Sequence, residues 1–166
     1  MTKDSDPTHD DAPQVLTASW SDLPTLKGKR FRGDWFSLPA ANLDLFDIAT
    51  CVAQNSGTMD DGIYPEGLVE GFHLLALLDH LHSPLIRISE PDFSGWNYGF
   101  DHVRFVSTVT VTDRIRLAGE VLSVEPKGHR YLLTLGCAIE VAGRTKPGLV
   151  ADWKVMWTRT SLENDA

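Results

Sequence analysis

Residues 67–81 read Gly-Leu-Val-Glu-Gly-Phe-His-Leu-Leu-Ala-Leu-Leu-Asp-His-Leu, and this segment sets the architecture of the chain. Its apolar residues leave no wide polar face, so we predict a helix over about residues 67–82 that the rest of the protein surrounds. At roughly 100° per residue, Glu70, His73 and His80 fall on one stripe of this helix. Because titratable groups on a buried helix are costly unless they are paired or used, chemistry is expected on this stripe. The leucines that we expect to be almost fully buried are Leu74, Leu75 and Leu78.

The composition is typical of a soluble globular protein. The chain has 166 residues, of which 42% are hydrophobic and 23% are charged, enough for one domain with a buried core. Its net charge of −8 and the lack of a Lys/Arg cluster argue against nucleic acid as a partner. The longest strongly apolar run is too short to span a bilayer, and the polar, acidic N-terminus shows no secretory signal. We therefore expect a cytoplasmic protein with no membrane partner.

The ends of the chain differ in composition from its middle. Residues 1–13 are rich in Asp, Pro and Thr, which predicts a disordered acidic tail. We expect a single domain over residues 14–160 and a flexible C-terminus over residues 161–166. No internal repeat or low-complexity segment interrupts that domain.

The first half of the domain carries short elements before the central helix. A short helix or turn over residues 20–29 leads into a first strand over residues 30–38. A short amphipathic helix then extends to about residue 50. Residues 51–66 contain glycine and proline without a clean period, which indicates a loop.

The second half of the chain changes to a β-type pattern. Four stretches are rich in Val, Ile, Thr and aromatic residues, and the short breaks between them carry residues suited to hairpin turns. Long antiparallel strands joined by tight turns form a meander, and an apolar helix needs a curved sheet around it. The predicted fold is therefore α+β, a hot-dog fold in which an antiparallel sheet wraps a central helix. The four predicted strands cover about residues 97–109, 113–125, 129–142 and 148–159.

Three segments of the chain stand out as motifs: Phe46-Asp-Ile-Ala-Thr50, residues 67–78, and Asn97-Tyr-Gly-Phe-Asp-His-Val-Arg-Phe105, the most specific of the three. Together they resemble the MaoC-like dehydratase family, which includes the R-specific enoyl-CoA hydratases and the NodN-like proteins. The resemblance covers residues 30–158. It implies a hot-dog fold, a homodimer or double hot dog, and reversible hydration of a 2-enoyl thioester on CoA or acyl carrier protein.

The chain departs from this family at its catalytic dyad. MaoC-like hydratases carry an Asp and a His in a segment Ala-Thr-Gly-Asp-x-x-x-x-His, and these two residues activate water and protonate the α-carbon. The matching segment here is Ala49-Thr-Cys-Val-Ala-Gln-Asn-Ser-Gly57, with Val52 at the aspartate position and Gly57 or a neighbour at the histidine position. The His-Gly pair that opens the helix in the family is Glu70-Gly71 here. Because Val52 cannot take a proton, the usual dyad is absent.

Two hypotheses follow from the loss of the dyad. In the first, the chain is a lyase or hydratase that acts by general acid–base chemistry on a hydrophobic or aromatic carbonyl or thioester substrate, with no metal or redox cofactor. In the second, it is a catalytically inactive hot-dog subunit or ligand-binding module that partners an active MaoC-like paralogue. In either case we expect a homodimer or a heterodimer with a related subunit. The chain shows no basic patch for the phosphates of CoA.

The enzyme hypothesis assigns roles to particular residues. Glu70 is the predicted general acid/base, because a carboxylate at the mouth of a buried helix is expected to be desolvated. His73 and Tyr98 are predicted to assist it, and Asp60 or Asp61 come next because their loop could reach the same pocket. The substrate-binding residues that we expect are Tyr64, Gly71, Trp96 and Asn97.

Several of these residues also have a purely structural interpretation. Glu70 could cap the helix by accepting hydrogen bonds from free N–H groups at its N-terminus. His73 could be a satisfied buried histidine, and His80 and His82 could stabilise the C-terminal end of the helix. Trp96 is either a sheet residue or the wall of a pocket for an aromatic substrate. The sequence alone leaves these alternatives open.

Overall fold

The structure is a computed structural model, and it describes residues 12–52 and 64–160. Residues 1–11 of the predicted acidic tail 1–13, and the whole of the predicted C-terminus 161–166, lie outside the described residues. No helix in the described part of the chain is long and apolar enough to cross a membrane. The elements, in chain order, are β1 (Leu16–Ala18), a short 3-10 helix (Leu23–Leu26), β2 (Arg30–Arg32), β3 (Phe36–Ser37), α1 (Ala41–Ala49), α2 (Gly71–His82), β4 (Ile86–Ile88), β5 (Phe93–Phe105), β6 (Arg114–Lys127), β7 (Arg130–Val141) and β8 (Leu149–Arg159).

The main sheet contains the four long strands that the sequence predicts. Its order is β2–β6–β7–β8–β5, these neighbours are antiparallel, and β3 also pairs with β6. The turn between β6 and β7 is tight because Gly128 adopts a left-handed φ of 64°, a conformation that a side chain would strain. The β-branched and aromatic residues of the four strands suit a half-buried pleated surface, which is why the sequence pattern predicts these strands.

The central helix α2 packs against one face of this sheet. Side chains alternate along β7, so that one face is buried and the other is less so, as expected for a sheet covered on one side. Leu133, Leu135 and Trp153 from the sheet join Leu74 and Leu78 of α2 in one hydrophobic core. Burial of an apolar side chain of this size contributes about 1.5–3 kcal/mol to stability. The predicted α+β arrangement, a helix against an antiparallel sheet, is confirmed.

Two three-residue strands were not predicted from the sequence. β1 pairs in parallel with β4, with Leu16 opposite Ile86 and Ala18 opposite Ile88. The pair connects the segment before β2 to the segment that follows α2. Strands this short contain too few residues for a readable period, and their pairing depends on contacts that are distant in sequence.

The predicted start of the central helix is wrong by about one turn, since α2 begins at Gly71. The Val69 N–H donates to the backbone carbonyl of Val109 at 2.8 Å. Leu68 forms an antiparallel bridge with Thr110. These residues therefore run extended beside a second segment, and their backbone groups are not available for a helical turn.

The prediction that α2 is surrounded on all sides is also wrong. Phe72 is 73% exposed, and Ala76 and Asp79 on the same side of the helix are exposed as well. Leu75 is only half-buried, although nearly full burial was expected. Another side of α2 is covered by Phe46 of α1. The exposed stripe of α2 is therefore a surface that no described residue covers.

Candidate functional site

Glu70 lies at the N-cap of α2, where the chain is still extended, with φ −60° and ψ 153°. Its backbone carbonyl accepts a hydrogen bond from the Leu74 N–H at 3.0 Å. Within the described residues its carboxylate makes no capping hydrogen bond to the helix, so the capping interpretation is wrong. The side chain is also exposed in the single chain, which contradicts the expected desolvation. The carboxylate is therefore available to a ligand.

An open cleft of about 360 Å³ lies beside Glu70, between the N-terminal end of α2 and the segment that follows β5. We call it the Glu70 cleft. Most of its wall is apolar, and the polar side chains that line it are those of Glu70, Ser107 and Thr108. A mostly apolar concave surface with a few polar groups is typical of small-molecule sites. The lining residues are Leu68, Val69, Glu70, Gly71, Leu74 and residues 105–109.

Gly71 lets the start of α2 approach the end of β5 closely. A Cβ atom at this position would lie 2.9 Å from the ring of Phe105, so a larger residue would push the two elements apart. The N–H groups of the first helical turn have no partner inside the helix and carry the positive end of its dipole. Gly71 thereby holds these donors at the edge of the Glu70 cleft, where an oxygen atom of a ligand could accept hydrogen bonds.

His73 faces away from the Glu70 cleft. Its ring stacks on Phe46 with centroids 4.3 Å apart and planes 6° apart, and the side chain is 7% exposed. Burial lowers the pKa of His73 below its ordinary value, and the nearby charge of Asp47 opposes this change. His73 thus lies between α1 and α2, and the structure does not bring it to Glu70 within one chain.

Trp96 and Asn97 are neighbours on β5 and point to opposite faces of the sheet. Asn97 faces α2, and its Oδ1 accepts a hydrogen bond from Trp153 Nε1 at 3.0 Å. Trp96 lies on the other face, where the guanidinium of Arg130 is 5.4 Å from its ring centroid. Of the two predicted binding residues, Asn97 therefore has its side chain on the helix side and Trp96 does not.

Tyr98 does not reach the Glu70 cleft within one chain. It occupies the irregular position between Asn97 and Gly99 in the pairing of β5 with β8, and it is 59% exposed. Phe105, which lines the Glu70 cleft, is further along the same strand by roughly 23 Å, at about 3.3 Å per residue. The predicted assistance of Tyr98 to Glu70 therefore has no geometric basis in the single chain.

Of the remaining predicted residues, the structure describes Tyr64 alone. Tyr64 is 62% exposed and is absent from the wall of the Glu70 cleft. Asp60 and Asp61 lie outside the described residues. Over residues 12–52 and 64–160, no group of three His, Cys, Asp or Glu side chains could hold a metal ion.

In the segment that corresponds to the family's dyad, the backbone at Cys51 is left-handed, but the aspartate position is occupied by Val52. Cys51 has a left-handed φ of 61°, a conformation that favours glycine, and the family pattern has glycine at this position. Val52 follows it with a side chain that is 37% exposed. The match of the segment is therefore supported by backbone geometry, and the missing aspartate is a property of this chain. The rest of the segment, residues 53–57, lies outside the described residues.

Phe105 was not predicted as a site residue, although a signal for it was present. It closes the Asn97–Phe105 motif, and its ring contacts Phe72 at 6.5 Å between centroids as well as Gly71. The motif identified β5 as important. Its last residue could be assigned to the site only after the structure placed the end of β5 against the start of α2.

No family model matches this chain, but individual proteins resemble it. It is 28% identical over 143 residues to nodulation protein N of Rhizobium leguminosarum bv. viciae. It is 27% identical over 142 residues to nodulation protein N of Rhizobium meliloti (strain 1021). Each of these matches covers 81% of this chain and 88% of the relative.

Solved structures with little sequence identity share the fold. A monoamine oxidase regulatory protein from Archaeoglobus has a TM-score of 0.62 at 14% identity, covering 86% of this chain and 96% of that one. A MaoC-like dehydratase from Rhodospirillum rubrum has a TM-score of 0.59 at 16% identity, covering 86% and 97%. An R-hydratase from Pseudomonas aeruginosa has a TM-score of 0.56 at 19% identity, covering 88% and 89%.

These likenesses confirm the hot-dog fold predicted from the sequence. Both curated relatives are nodulation protein N, which agrees with the resemblance to NodN-like proteins seen in the sequence. The chain therefore has a hot-dog fold, and its sequence resembles nodulation protein N over most of its length.

Proposed function

We propose that this protein is a hydro-lyase that adds water to, or removes it from, a hydrophobic or aromatic acyl thioester, with Glu70 as general acid/base. The observation that carries the proposal is an uncapped carboxylate at the N-terminus of α2, beside an apolar cleft. Two of the structural neighbours are named as a dehydratase and a hydratase, which supports the same class of reaction. CoA and acyl carrier protein are both possible carriers of the acyl group.

A single carboxylate can act both as the base that removes the C2 proton and as the acid that protonates the departing hydroxide. In the dehydrating direction, Glu70 removes the proton from C2 of a 3-hydroxyacyl thioester, and negative charge moves to the thioester oxygen. The free N–H groups at the start of α2, beginning with Gly71, stabilise that oxyanion. The electron pair then forms the C2=C3 double bond as the C3–O bond breaks. The protonated Glu70 returns its proton to the departing hydroxide, which leaves as water, and hydration is the reverse.

We further propose that a second copy of the chain, or a related subunit, closes the Glu70 cleft. Phe72 and Phe105 are 73% and 50% exposed beside the cleft, and Val106 is 41% exposed. Within the described residues β5 is the last strand of the sheet and pairs with β8 alone. A long edge strand next to exposed aromatic residues is a surface that proteins normally cover. Covering it would exclude water from Glu70 and strengthen its electrostatic interactions with a substrate.

The replacement of the usual aspartate by Val52 favours a second candidate function. A hot-dog subunit without a working acid/base group would bind an acyl ligand or support an active paralogue without turning over substrate. Its cleft would retain the same apolar wall. The two candidates therefore differ in product formation and can be separated by one variant at Glu70.

That variant is Glu70→Gln, with Glu66→Gln as a matched control at an exposed glutamate just before the cleft. Glutamine keeps the shape of the side chain but cannot exchange a proton. We expect Glu70→Gln to lower the hydration of octenoyl- or cinnamoyl-CoA by at least about 100-fold. Its melting temperature should stay at the wild-type value, because no capping hydrogen bond is lost. The control should retain both properties.

Unchanged turnover in Glu70→Gln would remove Glu70 from the mechanism. If both proteins bind an acyl thioester and neither forms product, the binding function replaces the enzymatic one. A melting temperature that falls in Glu70→Gln alone would show that the carboxylate stabilises the helix after all.

A further inference from the structure

Residues 106–112 follow the end of β5 and belong to neither β5 nor β6, and we call them the cleft segment. The part of this segment up to Val109 lines the Glu70 cleft. Its first residue is tied to the turn before β8, since the Val106 N–H donates to the backbone carbonyl of Gly148 at 2.9 Å. The position of the rest depends on individual contacts outside the main sheet, and these contacts therefore shape one wall of the cleft.

The cleft segment holds the residues that lead into Glu70, which run antiparallel to it. The Val69 N–H donates to the carbonyl of Val109 at 2.8 Å, and the Val111 N–H donates to the carbonyl of Gly67 at 2.9 Å. The approach is close because Gly67 has a left-handed φ of 69°, and a Cβ atom there would lie 2.7 Å from the side chain of Val111. The position of Glu70 is therefore coupled to that of the cleft segment.

Asp113 and Arg144 hold the cleft segment at two points. The Asp113 carboxylate accepts hydrogen bonds from the backbone N–H of Thr110 at 2.9 Å and from its hydroxyl at 3.2 Å. Arg144, in the turn between β7 and β8, donates from Nη2 to Asp113 Oδ1 at 2.6 Å and from Nη1 to the carbonyl of Thr108 at 2.7 Å. One guanidinium and one carboxylate thus fix the backbone on both sides of Val109 through charge-assisted hydrogen bonds.

The geometry of this ion pair suits it to fixing a position. The side chains of Arg144 and Asp113 are 39% and 14% exposed, and an ion pair that is partly exposed adds little to overall stability. A planar guanidinium, however, reaches two acceptors at once with its N–H groups in a rigid fork, which a single ammonium group does not. The pair therefore acts on the local backbone more than on the stability of the whole fold.

We propose that Arg144 and Asp113 are positioning residues of the Glu70 site. Neither side chain lines the cleft, so both act through the cleft segment and the residues that it pairs with before Glu70. Without the pair, the wall of the cleft and Glu70 move together, and a displacement of about 1 Å at a reacting group costs up to about 100-fold in rate. This inference rests on the proposed function, in which Glu70 transfers a proton.

Arg144→Ala tests the proposal, with Arg159→Ala as the matched control. Arg159 makes a bidentate pair with Asp92 at the far end of β8, and those side chains are 30% and 29% exposed. Arg144→Ala should lower kcat for octenoyl- or cinnamoyl-CoA by at least about tenfold and leave KM within about threefold. Both variants should lower the melting temperature by at most about 4 °C. The control should keep the wild-type kcat.

Chemical rescue separates a positioning role from general destabilisation. Added methylguanidinium should restore part of the kcat of Arg144→Ala, because the vacated position is partly exposed and accepts the same planar fork. Arg144→Lys should not restore it, since one ammonium group does not serve both acceptors. If Arg144→Ala does not fold, Asp113→Asn weakens the same contact and should lower kcat in the same direction.

Hydrogen exchange of the Val69 and Val111 amides, followed by ¹H–¹⁵N NMR without substrate, tests the inference independently of turnover. Arg144→Ala should speed exchange at both amides by at least about tenfold, whereas Arg159→Ala should leave it unchanged. If the wild type hydrates neither thioester, the proposed function fails, and the exchange rates alone decide whether the pair holds this backbone. Unchanged exchange or unchanged kcat in Arg144→Ala, or an equal loss of kcat in both variants, would overturn the proposal.

Discussion

At the scale of single residues, burial decides the protonation of His82. Its pKa is lowered to about 4 in the folded chain, below the ordinary value of 6.5. In the unfolded chain His82 takes up a proton as the pH falls below about 6.5, whereas the folded chain does not until about pH 4. The unfolded state binds more protons in this interval, so the free energy of unfolding must fall as the pH drops from about 6.5 to about 4.

Wild type and His82→Phe should therefore differ in how their stability to urea changes between pH 7.0 and pH 4.5. The wild type should lose on the order of 2 kcal/mol more than the variant between the two conditions. His80→Phe, at an exposed position two residues earlier, should behave as the wild type does. Equal losses in wild type and His82→Phe would show that His82 is not held neutral by the fold.

The identity of Glu70 as a candidate was readable from the sequence, but its surroundings were not. The match to the family's active-site segment placed it at the start of the central helix. How exposed Glu70 is depends on where Phe105 and its neighbours lie. The pairing of β5 with β8 sets that position. Such contacts between distant segments leave no local periodic signal.

At the scale of elements, α2 shows how far hydrophobic pattern alone can predict burial. Leu78 is fully buried, whereas Leu75, on an adjacent side of the helix, is half-buried. The two leucines are indistinguishable in the sequence pattern. Their difference arises because the sheet covers one side of α2 and the described chain leaves the Phe72 side open.

Leucine-to-alanine variants at these two positions should therefore differ in cost. We expect Leu78→Ala to lower the free energy of unfolding by about 2–5 kcal/mol, because it opens a cavity in the core. Leu75→Ala should cost less than half as much in urea unfolding at low protein concentration. A cost for Leu78→Ala below about 0.5 kcal/mol, or equal costs at both positions, would show that α2 is oriented differently.

The long strands were predicted well and the boundary of α2 was not, for the same physical reason. Strands β5 to β8 carry a period that their own residues reveal. The four residues before Gly71 look helical in pattern, but residues 67–69 pair with residues 109–111. The hydrogen bond between Val69 and Val109 overrides the local helical propensity of this segment, and no feature of residues 67–70 alone predicts that bond.

At the scale of the whole molecule, the proposed chemistry depends on a surface that one chain leaves open. Glu70 is exposed in the single chain, and the exposed side of α2 is continuous with the edge strand β5. If a second copy covers this surface, the Glu70 cleft becomes an enclosed site between two chains. If none does, Glu70 stays in water, where a carboxylate is a weak base for abstracting a proton from carbon.

A glutamate at Phe72 should disrupt this surface without disturbing the core, since the side chain is 73% exposed. Phe72→Glu should shift the protein toward monomer and lower turnover in parallel, because a buried unpaired charge opposes association. Leu122→Glu introduces the same charge at a site that is 41% exposed on β6 and should do neither.

Sedimentation equilibrium of the purified wild-type chain at micromolar concentration is the most direct measurement. The chain has a mass of 18.4 kDa, so a two-chain particle has a mass of about 37 kDa. We predict about 37 kDa for the wild type and for Leu122→Glu, and a mass closer to that of one chain for Phe72→Glu. A wild-type mass of 18.4 kDa across the micromolar range would contradict the homodimer, and with it an enclosed Glu70 site built by this chain alone.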